Sequence, residues 1–307
     1  MSAQHAYPHS HSHARDPQGY DRAFAVAVAL NAGFVAIETA YGFAASSMAL
    51  LADAGHNLAD VLGLLLAWGS VCLMRRAPTR RRTYGMGRSS VLAALLNAGL
   101  LLVAVGGVLW GAIGHLIEPV EVAGATVMGV AAAGVAVNAV SALLFRTGRK
   151  HDLNVGAAFL HLVADAAVSA GVVAAGAVVW LTGWEWVDPV VALAVGAAIA
   201  VGAWRLLRQS VDLALDAVPD RIDPAGVRAW LAAQPGVVEV HDLHIWAMST
   251  AETALTVHLV KPQARIDDAW LASLCGELHE RFHIEHATIQ VENGGGAPCR
   301  LAPEHVI

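Results

Sequence analysis

Charge is what this sequence has least of. Asp, Glu, Lys and Arg make up only 14% of its 307 residues, against 56% hydrophobic residues. A soluble domain carries roughly 25% charged residues, so the shortage excludes an ordinary globular protein and a charge-rich disordered one alike. Cysteine is scarce too. The three present, Cys72, Cys275 and Cys299, are far apart and form no CxxC pair, which supports neither a disulfide framework nor a zinc ribbon. The stretch 1–21 is polar and His-rich and lacks the apolar core of a cleavable signal peptide. No Gly-rich phosphate loop, nucleophile elbow or nucleic-acid module is present, so nucleotide hydrolysis, serine-type catalysis and nucleic-acid binding have no carrier.

What the sequence has instead is long apolar runs and a mean hydropathy of +0.54. Six spans of about 20 residues are expected, at Arg22–Ala45, Ser47–Met74, Ser89–Ile117, Gly124–Phe145, Val155–Leu181 and Val190–Leu207. Their abundance of Gly, Ala and Val suits close helix packing. The segment after the second span, Arg75–Arg88, holds six arginines and no acid, and basic residues also follow spans four and six. Glu118, Glu121, Glu185 and Asp188 fall between the other spans. By the positive-inside rule both termini are then cytoplasmic.

From about Asp220 the composition becomes that of a small soluble domain. Asp223-Pro224 reads as a helix start. Val237–Ala247 and Thr253–Val260 alternate like paired strands, Ile266–Phe282 is amphipathic, and Ala287–Glu292 is a last short strand. The expected architecture is an all-α six-transmembrane-helix region with a C-terminal α+β domain of order αββαβ. The division is 1–21 as a His-rich leader, 22–210 as the membrane domain, 211–293 as the soluble domain and 294–307 as a loose tail.

Chemistry concentrates in two membrane helices. Leu50–Leu66 carries Asp53, His56 and Asp60, and Phe159–Gly171 carries His161 and Asp165. Residues four apart share a helix face, so each HxxxD pair projects one imidazole and one carboxylate in the same direction. Ionisable groups at membrane depth are costly and mark functional sites by default. Together the pairs form an N2O2 set suited to a borderline cation such as Zn2+. Protons compete for the same lone pairs, which suffices for metal/proton exchange, with the imidazoles titrating nearest neutral pH. Asp53 shares this face in a supporting or gating role. Asn31 and Glu38, seven apart in the first span, line the same path or hydrogen-bond between helices. In the soluble domain His241, His258 and His286 are the preferred regulatory metal trio, and strict alternation sets His241 on the opposite strand face from His244.

These stretches together resemble the cation diffusion facilitator family, the zinc-efflux transporters of bacteria and eukaryotic vesicles. The resemblance is carried by SMALLADAGHNLAD at Ser47–Asp60, TYGMGR at Thr83–Arg88, HLVAD at His161–Asp165, DLHIW at Asp242–Trp246 and TIQVE at Thr288–Glu292. It implies a homodimer with a ferredoxin-like cytoplasmic domain, and zinc/proton antiport by alternating access at His56, Asp60, His161 and Asp165. Relatives with Asp at the position of His56 accept a wider range of metals. Some relatives bind a second metal in the loop after span two, where this chain offers only arginines, and some carry two tail cysteines where this one has Cys299. The expected setting is a bacterial inner membrane. The alternatives are a metal sensor or a channel without proton coupling; an intramembrane zinc enzyme lacks its HExxH.

Overall fold

A computed structural model describes residues 18–145, 153–262, 268–295 and 299–302. His5, His9, His11, His13, His151 and His305 lie outside the described residues. Six long helices come first: α1 (Gln18–Ala44), α2 (Met48–Met74), α3 (Ser89–Ile117), α4 (Gly124–Phe145), α5 (Leu153–Thr182) and α6 (Val187–Ala214). Among the described residues, five of these helices contain windows long and apolar enough to cross a membrane, and α1 contributes a shorter apolar stretch, Val28–Ala44. Large apolar side chains such as Trp110, Val103 and Leu181 point outward, as lipid-facing residues do. The sixth helix continues past the expected Leu207 to Ala214, so its last turns carry Arg208, Gln209 and Asp212 beyond the apolar span.

The chain divides into two compact units. The first comprises α1, α2 as far as Asn57, and Pro119–Val191. Its helices approach closely where side chains vanish. A Cβ on Gly124 would lie 2.7 Å from the Trp180 backbone nitrogen, and one on Gly176 would lie 2.8 Å from that of Met128. Glycine at both positions lets α4 and α5 touch backbone to backbone.

The second unit comprises Leu58–Glu118 and the described residues from Ala192 onward. Its C-terminal part is α7 (Pro224–Ala232), β1 (Glu239–Ala247), β2 (Thr253–Val260), α8 (Asp268–Phe282) and β3 (His286–Glu292), in the expected αββαβ order. Asp223 caps α7 by accepting from the Ala225 N–H at 3.0 Å, with Pro224 just inside the helix. The sheet runs β1-β2-β3, antiparallel between β1 and β2 and parallel between β2 and β3. Val227 and Leu231 from α7 and Leu274 and Leu278 from α8 pack on Val240, Ile245, Leu255 and Leu259 to form the core. The TYGMGR loop docks on this domain. The Arg88 guanidinium pairs with Asp216, Ser90 Oγ accepts from the Thr250 N–H at 3.0 Å, and a Cβ on Gly87 would meet the Met248 carbonyl at 2.9 Å.

Candidate metal centres

The helix that carries the first HxxxD pair has a carefully satisfied start. Ser47 caps α2, its Oγ accepting from the Leu50 N–H at 3.1 Å. Asp188, at the head of α6 and 1% exposed, accepts from Ser47 Oγ and from the N–H groups of Met48 at 2.7 Å and Ala49 at 3.3 Å. The orphan donors of the first turn are thereby satisfied, and a carboxylate sits at the positive end of the helix dipole. The sequence placed Asp188 only in a polar loop; nothing in its spacing signals this cap.

Two turns along α2, His56 faces α5. Its Nε2 lies 3.2 Å from Asp165 Oδ1, while His161 Nε2 lies 3.7 Å from Asp165 Oδ2. The two imidazoles stand edge to face, 6.2 Å between ring centroids. The buried Asp165 thus spends one oxygen on each imidazole, which brings three of the four predicted residues into one group. Asp60 follows His56 by one turn on the same face of α2 and is half-buried. Asp53 and Glu38 are fully buried. Ser169 Oγ donates to Asp53 Oδ2 at 2.7 Å, and Asn57 Nδ2 donates to Glu38 Oε2 at 3.1 Å. Asn31, half-buried, lies two turns before Glu38 on α1.

In the soluble domain a second group forms on the sheet face away from the helices. A bulge interrupts β1 between His241 and His244, where Asp242 takes φ 50°. Because of it His241 pairs with His258 and His244 with Thr256, two positions apart on β2. His241 and His244 therefore share a face, contrary to strict alternation. His258 Nδ1 is 3.1 Å from Glu292 Oε1, His241 Nε2 is 3.5 Å from the same oxygen, and Cys299 Sγ is 3.5 Å from His258 Nδ1. Ligand atoms of His241, His258, Glu292 and Cys299 all lie within 4.8 Å of one another.

His286 is not among them. It pairs with Ala254, four residues along β2 from His258, or about 13 Å away, and its ring packs edge-on against Tyr84 at 5.5 Å. The structure groups His241 and His258 of the expected trio with Glu292 and Cys299, and sets His286 apart from them.

The donor chemistry of this group fits a metal. Both ring nitrogens of the buried His241 lack a hydrogen bond among the described residues, although carboxylate oxygens lie nearby. Glu292 feels partial burial, which would raise its carboxyl. Hydrogen bonds with Cys299 and Gln290 and the charges of His241 and His258 outweigh that and hold it below its ordinary range. Two imidazoles, an ionised carboxylate and a thiol suit tetrahedral zinc.

Two family profiles match the chain: the cation efflux transmembrane domain over residues 24–213, and the cytoplasmic domain of cation efflux proteins over 219–294. The metal cation efflux system protein CzcD of Cupriavidus metallidurans is 36% identical over 295 residues, covering 96% of this chain and 92% of that protein. The zinc transporter ZitB of Escherichia coli is 37% identical over 290 residues, 94% and 92% of the two chains. A Bacillus subtilis protein described as a cadmium, cobalt and zinc/H(+)-K(+) antiporter is 29% identical over 85% of both. A solved structure described as the metal-bound C-terminal domain of the CzcD transporter is 42% identical, covering 23% of this chain and 99% of that one at a TM-score of 0.22. This chain belongs to the cation efflux, or cation diffusion facilitator, family of integral membrane metal transporters, which are not enzymes.

Proposed function

We infer that this protein exports Zn2+ from the cytoplasm in exchange for H+, with His56, Asp60, His161 and Asp165 as the transported ion's ligands. The observation that carries the reading is the convergence of His56 and His161 on the two oxygens of buried Asp165 within apolar helices. Two carboxylates offset the charge of a divalent ion, so an occupied site is far cheaper at membrane depth than the bare cation. When the ion leaves, the same lone pairs take protons, and ion and proton replace each other. The zinc, cadmium and cobalt named for its relatives support a transition-metal cargo; a His at position 56 is the zinc-favouring form by family resemblance.

The rest of the assembly follows in kind. The basic segments after α2, α4 and α6 support cytoplasmic termini in a bacterial inner membrane. The residues 211–293 act as a homodimer-forming cytoplasmic domain beside the membrane domain 22–210. A resident zinc held by His241, His258, Glu292 and Cys299 would cross-link β1, β2, β3 and the tail. Asp53, Glu38 and Asn31 support the path.

The test is zinc uptake into proteoliposomes under an imposed proton gradient, wild type beside Asp165→Ala. Uptake that collapses in the variant and with a protonophore is the expected result. Uptake that survives the substitution sinks the assignment of the site. Flux that runs only downhill and ignores the proton gradient would make the protein a channel, and binding without flux a sensor.

A further inference from the structure

Glu38 and Asp53 are carboxyl groups that the ligand set does not use. Both are 0% exposed. Each has one neutral donor, from Asn57 to Glu38 Oε2 and from Ser169 to Asp53 Oδ2. The remaining oxygens, Glu38 Oε1 and Asp53 Oδ1, are offered no N–H or O–H donor among the described residues. Asp53 and Asn57 lie one turn apart on the same face of α2, and Asn57 holds Glu38, which sets the two carboxyl groups side by side. Each then keeps a buried acceptor without a donor unless a proton is bound there.

Among the described residues, the cationic side chain within electrostatic reach of the pair is the His56 imidazole. Around the pair stand His56 and Asn57 of α2 and Ser169 and Asp165 of α5. Helices α2, α4 and α5 contain no lysine or arginine, and α4 contains no ionisable residue at all. On α1 the nearest basic residue, Arg22, is about 24 Å away along the helix axis. Two ionised carboxylates side by side at membrane depth would repel each other and lack solvation; one bound proton relieves both penalties.

We propose that the Glu38–Asp53 pair is a proton-carrying site of the exchange, separate from the metal ligands, holding a proton while the ion site is empty and releasing it when a divalent cation binds. This rests on the antiport reading above. Asp53 lies within electrostatic reach of His56 and Asp165, so a cation bound at those residues favours the ionised pair. The step is proton transfer alone. The O–H bond breaks, its electron pair stays on the carboxylate, the proton passes to water on the side then open, and the reverse follows once the ion has left.

The test measures proton release and zinc uptake together in reconstituted full-length protein. Wild type is compared with Glu38→Gln and Asp53→Asn, with zinc-for-zinc exchange run in parallel. The variants are expected to release about one proton fewer per ion carried, and to lose pH-driven uphill uptake by a larger factor than they lose zinc-for-zinc exchange. An unchanged proton-to-zinc ratio in both variants overturns the proposal. Wild type that moves zinc without any proton counterflow overturns the antiport reading itself, and the pair with it.

If neither variant folds, infrared spectra of the wild type with isotope-labelled glutamate decide. Glu38 is the sole glutamate in α1 to α6. A protonated-carboxyl band that carries the glutamate label and vanishes on zinc addition supports the proposal. A labelled spectrum that zinc leaves unchanged overturns it.

Discussion

His258 and His286 make the sharpest contrast between single residues. Both lie on the same face of one sheet, but His258 touches Glu292 and Cys299 whereas His286 rests on Tyr84. In a background carrying Asp165→Ala, His258→Ala is expected to weaken the remaining zinc affinity by at least about 10-fold, and His286→Ala to leave it unchanged. A competition titration against a zinc indicator reads both. Glu292 adds a pH dependence in chelator-treated protein. Its carboxyl is held below the ordinary range when folded, so the unfolded chain binds the proton more readily. The associated stability is present above the unfolded value and is lost as pH falls through the folded one. Thermal unfolding from about pH 7 down to about pH 3 should show a steeper loss for wild type than for Glu292→Gln. The pairing of His161 with Asp165 was legible because i and i+4 share a helix face whatever the tertiary setting. Glu292 and Cys299 were not, because their place depends on a parallel register and on a bulge at Asp242 that no alternation pattern announces.

Among the elements, α2 depends on a partner distant in sequence. Asp188 accepts from two N–H groups of its first turn and from the Ser47 hydroxyl. Asp188→Ala leaves these donors buried and unmet, at a cost of about 1–3 kcal/mol. Ser47→Ala removes the cap bond from Leu50 and the hydroxyl's own bond to Asp188, and is expected to cost less, about 1 kcal/mol. Thermal unfolding in detergent orders the two variants; equal or absent effects would mean that the cap is dispensable. The helices themselves were plain in the sequence, since apolar runs of this length leave few alternatives. Their ends were less so. The sixth continues to Ala214 because polar residues can extend a helix once it has left the apolar layer. The α7 start was readable from Asp223-Pro224, whose local cap chemistry needs no distant partner.

At the scale of the whole molecule, the arginine-rich segment after α2 and the αββαβ domain belong to one unit, joined through Arg88 and Asp216, Ser90 and Thr250. The exposed Arg80, Arg81 and Arg82 give trypsin a target. Cleavage there is expected in inside-out vesicles and not in right-side-out ones, and the opposite pattern would reverse the assigned orientation. The composition shift near Asp220 falls where the two matched family profiles, 24–213 and 219–294, meet, whereas the docking of the loop was not legible, since it turns on the absence of a side chain at Gly87. The Asp188 cap has a mechanical consequence as well. It fixes α2 at Met48, and His56 lies eight residues on, about 12 Å along the axis. A rod pinned at one end is a lever: a tilt of about 10° about that pivot carries the imidazole some 2 Å sideways, about the length of a zinc–nitrogen bond. At the site proposed above, a movement too small to unpack a helix would therefore be large enough to let an ion go.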